Sequence, residues 1–223
     1  KKDNLQFFNK PLTEKNISSI KNVNILSVFI YSKITKKILS KLPNIKSIVT
    51  RSTGFDHIDN DECKKRKIAV YNVPHYGDNT IAEYTFALVL ALLKKVIPSV
   101  QRIKKGQFYS SGLTGYDIKG KTIGIVGLGK IGKKVAIIAK SFNMNIVAYD
   151  ICEDKTFARE NTIKYVTLEA LLKESDVITL HCNLTAENYH LINKKKISLL
   201  KKNAYIINTA RGGIVDSSAL LQA

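Results

Sequence analysis

Gly127-Leu128-Gly129-Lys130-Ile131-Gly132 is a G-x-G-x-x-G array. That spacing lets a chain turn tightly, approach a pyrophosphate, and then pack a helix against the preceding strand. Alone the pattern is weak, because glycines gather in any tight turn. Here the β-branched apolar segment 122–126 runs directly into it, and Ile131, Val135, Ile138 and Ala139 repeat at the helical period after it. A strand–turn–helix of this kind aims backbone amides and the positive end of a helix dipole at an anion. Asp150 closes the next strand, about 20 residues on, where a carboxylate accepts hydrogen bonds from ribose hydroxyls. It would repel a 2′-phosphate, and Ile151-Cys152-Glu153 bring no arginine to receive one. The pattern predicts NAD rather than NADP.

A second array, Asn208-Thr209-Ala210-Arg211-Gly212-Gly213-Ile214-Val215-Asp216, follows the apolar segment 204–208. Arg211 therefore sits just past the carboxyl end of a strand, where ligands bind in parallel α/β sheets. A guanidinium there can grip a carboxylate and an adjacent carbonyl together, through its planar fork of donors. The remaining candidates carry little. Cys63, Cys152 and Cys182 form no C-x-x-C, and His57, His75, His181 and His190 show no metal-ligand spacing. Reduced thiols and no metal site are expected.

The Asn208-to-Asp216 stretch resembles the signature of the D-isomer-specific 2-hydroxyacid dehydrogenases, above all their D-lactate dehydrogenase branch. Arg51-Ser52-Thr53-Gly54-Phe55-Asp56-His57-Ile58-Asp59, Asn72-Val73-Pro74, Asn79-Thr80-Ile81-Ala82-Glu83 and Ser175-Asp176-Val177 extend that resemblance over essentially the whole chain, in order. It implies an α/β protein with a flavodoxin-like substrate domain over 1–78 and a Rossmann dinucleotide-binding domain over 79–223, both with parallel sheets. The implied activity is hydride transfer between NAD(H) and a small 2-oxo or D-2-hydroxy acid, with pyruvate and D-lactate foremost. The implied protein is a cytoplasmic homodimer, with no nucleic-acid or membrane partner.

Carried over by resemblance, Arg211 is catalytic, and the backbone amides of Thr53 and Gly54 hold the other side of the substrate carboxylate. Tyr76 contacts substrate near the hinge, and Tyr31 limits substrate size. Cofactor contacts beyond Gly127, Gly129, Gly132 and Asp150 are Lys130, Ile131, Cys182, Asn183, Asn188, Thr209, Ala210 and Arg211. Asn183 departs from the family, which usually has proline there; the change loosens the loop but removes no catalytic atom. The family's general acid, a histidine paired with a glutamate, is expected beyond Ala223. The chain is thus expected to be a fragment with little catalytic activity of its own. A dinucleotide-sensing corepressor of the same fold is the rival reading.

The elements that must position these groups alternate. Segment 5–8, and the apolar segments at 23–30, 45–50, 69–71, 122–126, 145–149, 177–181 and 204–208, read as strands. Helices are expected at 35–42, 81–93, 131–139 and 168–173, with Thr13, Asp59 or Asp61, Thr167 and Asp216 as caps. Strand–helix alternation points to parallel sheets. The segment 81–93 is apolar nearly all round, which suits a helix buried on more than one side. The longest apolar run, 86–93, is too short to span a bilayer, which takes about 20 residues. The formal charge of +18 is spread along the chain. Its densest runs, Lys64-Lys65-Arg66-Lys67 and Lys194-Lys195-Lys196, carry no interleaved aromatics, so it reads as composition rather than a nucleic-acid face.

Overall fold

A computed structural model describes residues 5–20 and 22–223. Its contacts divide the chain into two compact α/β units, Lys1–Gly77 and Asp78–Ala223.

The first unit carries β1 (Ile25–Val28), α1 (Lys36–Ser40), β2 (Ser47–Thr50), α2 (Asn60–Lys65) and β3 (Ala69–Tyr71), after a 3-10 turn at Ile17–Ile20. The strands lie parallel in the order β1-β2-β3. Ile34, Leu39, Leu42 and Ile48 are fully buried between sheet and helices. Thr35 caps α1, and Asp59 rather than Asp61 caps α2 by accepting from the Glu62 amide.

Two expectations fail at the start. Residues 5–8 form no strand: Leu5 and Phe7 stand 75% and 89% exposed, and the segment pairs with no neighbouring strand. Hydrophobic composition without a ladder partner does not make a strand. Nor does Thr13 act as a helix cap. Instead the Asn16 side chain accepts from the Thr13 amide at 2.7 Å, closing a turn ahead of the 3-10 helix.

In the second unit, β4 (Thr122–Val126), β5 (Asn145–Tyr149), β6 (Lys164–Tyr165), β7 (Val177–Leu180) and β8 (Tyr205–Asn208) form one parallel sheet in the order β6-β5-β4-β7-β8. Helices α3 (Asp78–Leu93) and α5 (Lys130–Ser141) bury Phe86, Val89, Val135 and Ala139 on one face with Ile123 and Ile125. Helices α7 (Leu168–Glu174), α8 (Lys194–Ile197) and α9 (Ser217–Leu221) cover the other, with Leu171, Leu172, Ile178 and Leu180 in its core. Residues buried on both faces explain why these strands read as continuous apolar runs rather than alternating ones. The chain winds outward from β4 in opposite directions, through β5 on one side and β7 on the other. That reversal opens a crevice at the carboxyl end of β4.

Within this unit α3 is buried on one side only, since Tyr84 and Leu92 remain 58% and 46% exposed. Helix α4 (Val96–Lys104) was not foreseen. Lys95, in the left-handed conformation, separates it from α3, and none of its residues is buried. Helix α6 (Lys155–Glu160) and the short strand β6 also escaped the pattern, being too brief to show a period.

Candidate functional site

The glycine array occupies the crevice. Gly127 follows β4 with φ +94°, and a Cβ there would sit 2.7 Å from the Cys182 nitrogen and 2.8 Å from the His181 carbonyl carbon. A Cβ on Gly132 would collide with the Gly127 carbonyl oxygen. These two glycines are demanded by the protein's own packing. Gly129 is not. It has extended backbone, caps α5 with no side-chain hydrogen bond, and a Cβ on it would meet nothing within 4 Å. The space left there faces the uncapped amides of a helix N-terminus, which is where a pyrophosphate docks.

Asp150 leans over this loop. Its Oδ2 accepts from the Leu128 amide at 2.6 Å and its Oδ1 from the Cys152 amide at 2.9 Å. It lines a cavity of about 640 Å³ with Gly129, Lys133, Cys152, Glu153 and Asp154. The Lys133 ammonium meets Asp154 Oδ2 at 2.5 Å. That hydrogen bond, with one from the Phe157 amide, holds the Asp154 carboxyl below its usual range. Neither Lys133 nor Asp154 was singled out from sequence, since Lys133 follows the glycine motif and Asp154 lies four positions beyond the residue expected to read ribose.

The loops after β7 and β8 form the crevice's other wall. Asn188 donates to the Asn183 carbonyl at 2.5 Å and accepts from the Thr185 amide at 2.7 Å. The loop is thus stitched by a side chain where the family pattern has proline. Burial pushes the Cys182 thiol up, so it stays protonated. The His181 ring is pushed down to about 4 by burial and is neutral at ordinary pH. Its Nδ1 lies 3.5 Å from Thr209 Oγ1, which lies 3.1 Å from Thr85 Oγ1. Asn208 fixes the arginine loop from both sides: its Oδ1 accepts from the Ala210 amide at 3.0 Å, and its Nδ2 donates to the Arg211 carbonyl at 2.9 Å. Arg211 is half-buried, with Nη1 donating to the Ala210 carbonyl at 3.0 Å. Lys130 is exposed and Ile131 half-buried in the first turn of α5.

In the first unit, Thr53 and Gly54 lie in a loop beyond β2 that is braced by polar contacts. Ser52 Oγ donates to the Gly54 carbonyl at 2.7 Å, Thr53 Oγ1 donates to the Val73 carbonyl at 3.0 Å, and Asn72 Nδ2 donates to the Thr53 carbonyl at 2.8 Å. Among the described residues the Thr53 and Gly54 amides donate to no backbone carbonyl. Tyr31 and Tyr76 are 71% and 64% exposed. Tyr31 meets Phe29 edge-on at 5.6 Å. No group of three metal-ligating side chains occurs among the described residues, and no helix is long and apolar enough to cross a membrane.

The family model for the D-isomer specific 2-hydroxyacid dehydrogenase, NAD binding domain, matches residues 86–223. The chain belongs to this family. Proteins similar to it include the glyoxylate reductase of Thermofilum pendens, 39% identical over 96% of this chain and 64% of its own length. The D-lactate dehydrogenase of Escherichia coli is 36% identical over 98% of this chain and 67% of its own length. Among solved structures, the Aquifex aeolicus D-lactate dehydrogenase complexed with NAD and lactic acid superposes with a TM-score of 0.94 at 41% identity, over 99% of this chain and 66% of that one. The chain spans just under two thirds of the length of the first two of its curated relatives, 64% and 65%. The residues present fit the family's cofactor: open space at Gly129, uncapped helix amides behind it, and a carboxylate at the rim of the same cavity.

Proposed function

We propose that the whole protein interconverts a small 2-oxo acid and the corresponding D-2-hydroxy acid with NAD(H), with pyruvate and D-lactate as the physiological pair. The observation that carries this reading is Arg211, held by Asn208 at the carboxyl end of β8, in a chain so similar to a dehydrogenase solved with NAD and lactic acid. The amides of the 127–132 loop hold the pyrophosphate, and Asp150 takes the ribose hydroxyls. When bound, NADH supplies the hydride that reduces the substrate carbonyl. Arg211 grips the substrate carboxylate and polarises the neighbouring carbonyl, so its hold tightens as negative charge grows on that oxygen. By resemblance to the family, the Thr53 and Gly54 amides are also assigned to the substrate carboxylate. His181 is a poor general acid for the nascent alkoxide, because burial pushes its ring down to about 4 and leaves it without the imidazolium proton near neutral pH.

Glyoxylate is the second reading, favoured by the 39% identity with a glyoxylate reductase. The corepressor alternative gains no support from the relatives. Comparing kcat/KM for pyruvate and glyoxylate in the whole protein separates the first two. A clear preference for pyruvate with D-lactate as product supports the proposal, and a preference for glyoxylate overturns it. The same reading makes the protein a homodimer. Helix α4 supports this, because its exposed Ile97, Val100 and Ile103 form an apolar face that a second copy would cover. Ile97→Lys with Val100→Lys should then yield monomers by light scattering. The same reading assigns the protein to the cytoplasm, a compartment that would keep Cys63, Cys152 and Cys182 reduced.

A further inference from the structure

The cavity beside Asp150 contains cations that sequence reading did not register. Lys133 and Lys155 line it together with the carboxylates of Asp150, Glu153 and Asp154. In a chain of formal charge +18, two lysines at the rim of a ribose site would ordinarily welcome a 2′-phosphate. Lys133 is not available to do so. Its Nζ lies 2.5 Å from Asp154 Oδ2 and 5.1 Å from the centre of the Phe157 ring, so a carboxylate and an aromatic face hold it together. Lys155 reaches Glu153 at 4.0 Å, a looser pair with the lysine side chain 85% exposed.

Asp154 is itself fixed. Its Oδ1 caps α6 by accepting from the Phe157 amide at 3.0 Å, and its own amide donates to the Tyr165 hydroxyl at 2.9 Å. The carboxylate therefore cannot swing away to release Lys133 without uncapping a helix.

We propose that Asp154 is a specificity-determining residue. By holding the Lys133 ammonium it keeps from the cavity the more buried of the two cations that could receive a 2′-phosphate. It adds its own charge to that of Asp150, and so enforces NAD over NADP from a position that need not touch the cofactor. This rests on the reading of Asp150 as the ribose-binding carboxylate, and it adds a second layer to that discrimination.

The test is fluorescence titration of NADH and NADPH into the chain and three variants. Asp154→Asn keeps an oxygen for the Phe157 cap but loses the charge, so the fold should survive. It should tighten NADPH by about tenfold, as one freed charge-assisted contact would, and leave NADH nearly unchanged. Adding Lys133→Met to Asp154→Asn should abolish that gain, and Lys133→Met alone should leave the NADH-to-NADPH ratio close to the original. The gain in Asp154→Asn should also shrink as salt rises. An unchanged ratio in Asp154→Asn, or a gain that survives Lys133→Met, overturns the proposal while leaving NAD binding intact. Failure of the unsubstituted chain to bind NADH overturns the cofactor reading itself, and the proposal with it.

Discussion

The Leu128 amide donates to Asp150 Oδ2 at 2.6 Å, so the carboxylate proposed to meet the ribose is also a strut of the loop proposed to receive the pyrophosphate. The two roles can be measured apart. Asp150→Ala should lower Tm by about 2–4 °C for each kcal/mol lost with the loop hydrogen bonds. It should also weaken NADH binding by about tenfold or more and narrow the gap to NADPH. A fall in Tm with unchanged affinity for both dinucleotides would leave Asp150 as a strut alone.

The three glycines of the array divide by cause. Gly127→Ala and Gly132→Ala force a Cβ into backbone atoms, and Gly127 also has φ +94°, so both should lower Tm markedly. Gly129→Ala meets nothing within 4 Å and should leave Tm almost unmoved while weakening NADH. Equal thermal damage from all three, or full NADH affinity in Gly129→Ala, would contradict a ligand approach at Gly129.

His181 should leave a mark on pH dependence. Its ring falls from 6.5 to about 4 on folding, so between those values the unfolded chain binds more protons than the folded one. The neutral ring's contribution to stability is therefore complete above about pH 6.5 and is lost as pH falls toward 4. Tm should drop across that window, and less steeply in His181→Gln, whose amide does not titrate. Parallel Tm-against-pH curves for the two proteins would show that the ring is not buried neutral.

Arg211→Lys, in the whole protein, keeps the charge and loses the fork. It should lower kcat/KM for pyruvate by about 10²–10³-fold, the scale of losing a donor aimed at developing charge, with kcat falling as well as KM rising. NADH affinity should change little. A variant with near-original kcat, or one that mainly loses NADH, removes Arg211 from the role of substrate clamp.

What could be read from sequence followed from local rules. Strands 122–126 and 145–149 match β4 and β5, since residues buried on both faces must be apolar throughout. Thr167 and Asp216 cap where a short polar side chain before a helix should. The Gly127-to-Gly132 array was legible because its spacing encodes backbone geometry. The segment 5–8 was misread because strand formation depends on a neighbour that composition does not reveal. The clasp of Lys133 by Asp154 was invisible for a different reason: it joins α5 to the cap of α6, and no period or motif links residues on separate elements. The support that Asn208 gives Arg211 is local in sequence, yet an asparagine at a strand end has many uses, and only its two hydrogen bonds identify this one.

NAD is expected to bind this chain at the loop between β4 and α5, read by Asp150. Titrating NADH into the purified chain and following nicotinamide fluorescence measures that binding. Saturable binding that NAD displaces, weaker for NADPH, and reduced in Gly129→Ala while Tm is unchanged, is the predicted result. Absence of saturable NADH binding by the folded chain, or equal affinity for NADH and NADPH, would contradict it.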